Sequence, residues 1–147
     1  MLDDQDLVIL QALQEDARGT FADIGRRAGL STSSVHERVK KLEQAGVIRG
    51  YRAVVDPEAL GLFVTALVSV TPLDPTAPDD VPERVRELAE IEACHSVAGQ
   101  ESYILKVRVR TTGDLEDFLQ RLREKAQVQT RTTIVLSTPF EHRSITS

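Results

Sequence analysis

The sequence predicts an α+β chain in two parts: three helices ending in a helix-turn-helix, then a β-α-β-β-α-β unit. Three observations predict it. Apolar residues recur at helical spacing through the N-terminal third of the chain. Beyond it, runs of alternating apolar residues bracket two further helical patterns. Glycines, prolines and short polar capping residues stand at the breaks between these patterns. At 147 residues, 41% hydrophobic and 28% charged, the composition is that of an ordinary globular chain of one domain or two small ones. The expected division is residues 1–48, a linker with a short strand over 49–61, a second unit over 62–138 and a tail over 139–147.

The first helix is expected over residues 3–15. Asp3 or Asp4 can cap it, and acids in a first turn suit the helix dipole. Leu7, Leu10 and Leu13, with Ile9 beside them, form a broad apolar face, and Asp16 to Gly19 turns the chain out. In the second helix Phe21, Ile24, Gly25 and Ala28 recur at i, i+3, i+4 and i+7. Gly29 stops it, because a left-handed residue is cheapest without a Cβ. Ser31 then caps a third helix in which Val35, Val39 and Leu42 face inward, and Gly46 ends it. Two short helices joined by a glycine-containing turn form a helix-turn-helix pattern.

The opposite face of the third helix carries Ser33, Ser34, Glu37, Lys40 and Lys41, with His36 and Arg38 on its flanks. Short polar groups near the N-terminus can reach base edges, and basic groups along the flanks can neutralise phosphates. The alternative is a solvated face on an ordinary amphipathic helix. Charge distribution favours the first reading. The whole chain carries −5, yet eight Lys/Arg face three acids between Arg18 and Arg52. Screening over about 8 Å at physiological salt hides the acids elsewhere, so local potential governs docking on a polyanion. Ser31 to Lys41, Thr32 included, is therefore the segment expected in a major groove. Ser33, Ser34, His36 and Glu37 are the candidates for base edges, and Arg26, Arg27, Arg38, Lys40 and Lys41 those for phosphates. Arg49 and Arg52 are placed either to touch the backbone or to stand as solvated strand-edge charges.

After Gly46, Val47 and Ile48 are expected to close the helical core. Tyr51, Ala53 and Val55 alternate with Arg52 and Val54, which predicts a short strand ended by Asp56-Pro57, and Glu58 to Leu60 makes one helical turn. Leu62, Val64, Ala66, Val68 and Val70 then predict a strand, and Pro72 to Pro78 a loop. Val81, Val85, Leu88 and Ala89 predict a helix that tolerates Pro82 in its first turn. Glu92 to Ala98 reads as a short strand. Tyr103, Leu105, Val107 and Val109 alternate strictly with polar or wetter neighbours, a strand with one wet face. Thr111-Thr112-Gly113 is expected to turn the chain, Leu115, Phe118, Leu119 and Leu122 to define a helix, and Arg131 to Ser137 to be the last strand. That order is the split βαβ motif.

The runs LDDQDLVILQALQEDAR, IGRRAGLS and VHERVKKLEQAGVIRGYRAVVDPEALG make the chain, from Leu2 to Gly61, resemble the Lrp/AsnC family of bacterial and archaeal transcription regulators. The resemblance implies a helix-turn-helix domain followed by a ferredoxin-like βαββαβ (RAM) domain. It also implies sequence-specific binding to a palindromic double-stranded operator by a homodimer that assembles to tetramers or octamers, and modulation by an amino acid or related effector. In that family a glycine-acidic-aromatic-Asp-Tyr run lies at the amino-acid pocket. Here it reads Gly99-Gln100-Glu101-Ser102-Tyr103. The glycine and tyrosine match, but Ser102 cannot hold a ligand ammonium as a carboxylate does. Thr130 and Thr132 fall in the last-strand region the family also uses; either their hydroxyls hydrogen-bond a ligand or they are sheet-favouring threonines.

Signs of other chemistry are sparse. His36, His95 and His142 are scattered without metal-ligand spacing, and no phosphate-cradling glycine loop is present, so no cofactor or metal is expected. Cys94 and His95 are adjacent in a predicted strand and would point to opposite faces, which leaves Cys94 as a buried structural residue. Two alternatives carry different functions. Sirohaem decarboxylases resemble the same two-domain architecture, but their chemistry needs basic groups and a histidine at the pocket, and here only His95 and His142 are available in that half. A ligand-dependent assembly module without DNA function is the other. No run is apolar and long enough to span a bilayer, the N-terminus lacks a signal-peptide pattern, and one cysteine excludes an internal disulfide. A cytoplasmic, nucleoid-associated protein without membrane contact is expected.

Overall fold

The computed structural model describes residues 1–146, so Ser147, the last residue of the expected tail, lies outside the described residues. Helices α1 (Asp4–Glu15), α2 (Phe21–Ala28) and α3 (Thr32–Gln44) form the first unit. Each begins on a side-chain cap. Asp3 closes a capping box with Asp6, Thr20 accepts from the Asp23 amide, and Ser31 accepts from the Ser34 amide. Gly29 and Gly46 adopt φ of 69° and 72°, the left-handed conformation that favours glycine at a helix end.

One core holds these helices. Ile9, Ala12 and Leu13 of α1 meet Ile24 of α2 and Val35, Val39 and Leu42 of α3. The α1 face is thus centred on Ile9, which is fully buried, while Leu7 and Leu10 lie at its margin. Ile48 packs against this core as expected, but Val47 is exposed. The amides of both Val47 and Ile48 return to the Leu42 carbonyl, and the tight turn directs only one of the two side chains inward. Residues 51–55 are not a strand. Tyr51, Ala53 and Val55 are exposed with no ladder partner among the described residues, and alternation alone cannot supply one. The Tyr51 hydroxyl donates to Glu43 at 2.8 Å.

Chain contacts divide the protein into residues 1–54 with 139 onward, and residues 55–138. In the second unit, Glu58–Leu60 is a 3-10 turn, followed by β1 (Val64–Pro72), α4 (Val81–Val85), β2 (Ile91–Ser96), β3 (Tyr103–Val109), α5 (Thr112–Ala126) and β4 (Val128–Ile134). The sheet order is β2-β3-β1-β4 and every neighbouring pair is antiparallel. This is the arrangement the split βαβ pattern predicts. Ala66, Val68 and Val70 of β1 and Tyr103, Leu105, Val107 and Val109 of β3 share a core with Val81, Val85 and Leu88 and with Leu115, Phe118, Leu122 and Ala126.

Several boundaries move, each for a local reason. Thr111 is not in a turn but caps α5 through the Asp114 amide, so Thr112 and Gly113 are already helical. The last strand begins three residues early, at Val128, because Gln127 in a left-handed conformation ends α5 abruptly, and it stops at Ile134. Ala89 is exposed because α4 is only five residues long. The polar face of β3 is half-buried rather than wet. A bulge at Glu92 lets its carboxylate reach Arg108 at 2.6 Å and Lys106 at 3.8 Å. Cys94 is exposed on the edge strand, which corrects the expectation of a buried cysteine. Among the described residues no helix is long and apolar enough to cross a membrane.

Gly25 is where the turn between α2 and α3 closes. A Cβ there would stand 2.5 Å from the Leu30 carbonyl oxygen, a backbone atom that itself cannot swing away. Gly25→Ala is expected to destabilise the first unit by about 1–3 kcal/mol, measured by urea unfolding, as overpacking does. An unchanged midpoint would show that the turn tolerates a side chain.

Candidate nucleic-acid interface

The buried seam of α3 decides which of its side chains face out. At about 100° per residue, Ser33, Glu37 and Lys40 lie opposite Val35, Val39 and Leu42. All three are exposed, and so is Thr32. Gln44 lies on the same outward stripe and is exposed. The sequence reading passed over it, although the same angular arithmetic would have found it. Ser31 is spent as the cap, with its Oγ 3.2 Å from Ser33 Oγ. Ser34 is half-buried on the flank. The His36 ring packs against Phe21 of α2, with centroids 5.7 Å apart and a 56° tilt, which braces it at the edge of the stripe.

The expected phosphate contacts divide into two groups. Lys40 and Lys41 are exposed and make no ion pair among the described residues, and Arg18, Arg49 and Arg52 share that state. The three other arginines are engaged within the unit. Arg26 pairs with Asp23 one turn earlier, and Arg27 pairs with Glu15 of α1 at 2.7 Å. Arg38 donates to Asp3 at 2.7 Å, to Asp6 at 2.9 Å and to the Gln5 side-chain Oε1 at 2.9 Å. Its side chain keeps only 27% of its exposure. Arg38 therefore ties α3 to the start of α1, and the structure does not bring it to the outward face. Its angular position beside the seam, on the α1 side, was the available signal.

The effector candidates lie at the β2–β3 turn and on β4. Tyr103 and Thr130 both face Val70 across the sheet, and Thr132 faces Val68, so these side chains share the helix side. The Tyr103 hydroxyl donates to Asp79; that bond, with burial, pushes its pKa up to about 12. Thr130 accepts from Arg123 of α5 at 3.3 Å. Glu101 is paired with Arg131 at 2.9 Å. The Ser102 amide and carbonyl are spent on Val70 and Val97, while Gly99 and Gln100 are exposed in the turn. A shallow cavity of about 380 Å³ opens between α4 and β2, lined by Pro82, Val85, Ile91, Cys94, Ser96 and Tyr103. Desolvation, then the Glu83 carboxylate, pushes the Cys94 thiol up, which disfavours the thiolate. Cys94 faces Leu105 and His95 faces Ile104, so the two lie on opposite sides of the sheet. His142 belongs to the tail that packs with the first unit, which removes it from the second unit, where the sequence reading had counted it. No group of three or more His, Cys, Asp or Glu residues could hold a metal among the described residues.

Comparison with known proteins gives concordant matches along the chain. Residues 2–43 match the AsnC-type helix-turn-helix domain, and residues 64–145 match the Lrp/AsnC ligand binding domain. The chain is 49% identical to the HTH-type transcriptional regulator LrpA of Mycobacterium tuberculosis, over 97% of this chain and 95% of that one. A feast or famine regulatory protein from M. tuberculosis, solved in complex with L-methionine, superposes with a TM-score of 0.97 at 48% identity, with both chains fully covered. A transcriptional regulator of Neisseria meningitidis, also solved with L-methionine, gives 0.90 at 30% identity, covering 99% of this chain and 96% of that one.

The cap and clamp on α1 carry a pH dependence. Arg38 holds the Asp3 carboxyl below its ordinary value of 3.8, helped by the Asp6 amide. A carboxylate depressed in the folded state contributes stability above its unfolded pKa, and loses it as pH falls through the folded value. Asp3→Asn is expected to lower the unfolding midpoint at pH 7, and the difference should shrink below pH 3.8 and vanish only once the pH has fallen through the depressed folded-state value. A difference that persists unchanged in acid would place its origin outside the ion pair.

Proposed function

The chain belongs to the Lrp/AsnC family of transcriptional regulators, and from that premise we propose that it is a sequence-specific DNA-binding regulator whose α3 lies in the major groove. The observation that carries this reading is the rotation of α3. Its apolar seam is buried, and it turns Ser33, Glu37, Lys40 and Gln44 to solvent. Residues 1–48 serve as the DNA-binding domain, 49–61 as the linker and 62–138 as the effector and assembly domain. Ser33, Ser34, His36 and Glu37 face base edges, with Thr32 and the Ser31 cap at the groove entrance. Lys40 and Lys41 hold phosphates, with Arg26 and Arg27 at the rim once their carboxylate partners yield. Arg38 serves by positioning α3.

We further propose that the protein acts as a homodimer or higher assembly on a two-fold operator, with half-sites spaced by a helical turn or a multiple of it. The exposed apolar residues Phe63 and Leu136, at 66% and 96% exposure, support an assembly that would cover them. The effector is a small molecule such as an amino acid, in keeping with the methionine complexes of the two relatives. Gly99, Gln100, Glu101, Ser102, Tyr103, Thr130 and Thr132 are the residues proposed to meet it. The reading is of a non-enzymatic protein acting in the cytoplasm at the nucleoid, as expected of a chain whose relatives carry regulator names.

Binding to duplexes from upstream of its own gene, followed by fluorescence anisotropy across a salt series, tests the reading. Lys41→Ala is expected to weaken binding to all sequences and to make the slope of log K against log salt shallower by about 0.9, one phosphate's worth. An unchanged slope would remove Lys41 from the phosphate contacts. Adding L-methionine is expected to shift either the affinity or the assembly state seen by sedimentation. No response to any of a panel of amino acids would reject the effector assignment.

A further inference from the structure

The outward stripe of α3 carries one residue ill suited to a polyanion. Glu37 and Gln44 lie closest to the direction opposite the buried seam, within about 20° at the helical angle per residue. Glu37 is exposed, and its carboxylate has no hydrogen bond or ion pair among the described residues. Lys40 and Lys41 stand at i+3 and i+4, a spacing that permits pairing, yet neither takes it. The other two acids between Arg18 and Arg52 are both engaged, Asp23 by Arg26 and Glu43 by the Tyr51 phenol. A solitary carboxylate therefore stands at the centre of the face that would enter the groove.

We infer that Glu37 is a specificity-determining residue and that the base it selects is cytosine. This rests on the reading of α3 as the groove-entering helix. An ionised carboxylate can only accept hydrogen bonds. In the major groove guanine offers two acceptors, and thymine an acceptor and a methyl group. Against either, Glu37 would lose its water, gain no donor and remain among phosphates. Adenine offers the N6 donor, but its N7 acceptor lies beside it and repels the second carboxylate oxygen. Cytosine offers the N4 amino group with a C5–H rather than an acceptor beside it on the same base. The same charge works against duplexes that lack the cytosine, because phosphates then repel it without compensation. Glu37 thus weakens non-specific binding while it reads one base.

The test uses the full-length protein and Glu37→Gln, each selecting from a pool of duplexes with a randomised core, with affinities then measured at one fixed salt concentration. The wild type is expected to enrich cytosine at one position in each half-site, and replacing that base by thymine should cost about tenfold in affinity. Glutamine both donates and accepts, so the variant should shift that position toward adenine and bind unselected duplex more tightly. Melting curves should coincide, because the Glu37 carboxylate makes no hydrogen bond or ion pair among the described residues. Identical enrichment by the two proteins would overturn the assignment, and so would any base other than cytosine at the position the variant alters. Failure of both proteins to hold any duplex in dilute buffer is a separate outcome: it would overturn the groove reading itself and this assignment with it.

Discussion

The structure depends on the seam of Val35, Val39 and Leu42. These three side chains are almost wholly buried against Ile9, Ala12, Leu13 and Ile24. Burying each contributes about 1.5–3 kcal/mol, an upper figure because the unfolded chain is itself partly compact. A rotation of α3 by one residue would move the seam by about 100° and expose it. The core therefore holds the helix at one angle. Everything on the outer stripe inherits its direction from that constraint, and no outward residue has to stabilise the fold to be in place.

Charge is partitioned in the same unit. An excess of cations over acids between Arg18 and Arg52 gives a basic segment, in which Arg26, Arg27 and Arg38 are paired while Arg18, Arg49, Arg52 and both lysines make no ion pair among the described residues. Arg27 and Arg38 reach back to Glu15 and to the Asp3–Asp6 pair on α1, and Arg26 stays on its own helix. A planar guanidinium with several donors suits such multi-point clamps, whereas a lysine presents a compact, strongly hydrated charge. Lys40 and Lys41 are left facing solvent. The acidic N-terminus thus balances cations that would otherwise crowd the helix pair, and it holds the start of α1 against α3.

The second unit applies a different logic. β1 and β3 occupy the centre of the sheet, with alternate residues packed under α4 and α5, so its core is made of two complete strand faces. The loop that follows β2 then carries Gly99 to Ser102, while Tyr103 starts β3 beneath α4 and is anchored by Asp79. The region expected to meet an effector is therefore fastened on one side by strand pairing and left open at the turn.

Periodicity determined the order of the helices and of the four sheet strands and the inward seam of α3, while residue type marked the cap at Ser31, a first cap at Asp3 or Asp4, and the glycine stops at Gly29 and Gly46. All of these are local properties, governed by residues within one or two turns of each other. What the sequence could not decide were pairings between distant segments. Arg38 looks like a phosphate contact until Asp3 and Asp6 arrive beside it from more than thirty residues away. Alternation at Tyr51, Ala53 and Val55 reads as a strand, but a strand exists only where another backbone satisfies it, and none among the described residues does so there. Cys94 reads as buried because a free cysteine usually packs as a small apolar residue, but β2 lies at the sheet edge, a position set by the order in which all four strands assemble. Tertiary structure decides such matters because burial and ion pairing depend on which surfaces meet, and spacing along the chain records only which surfaces exist.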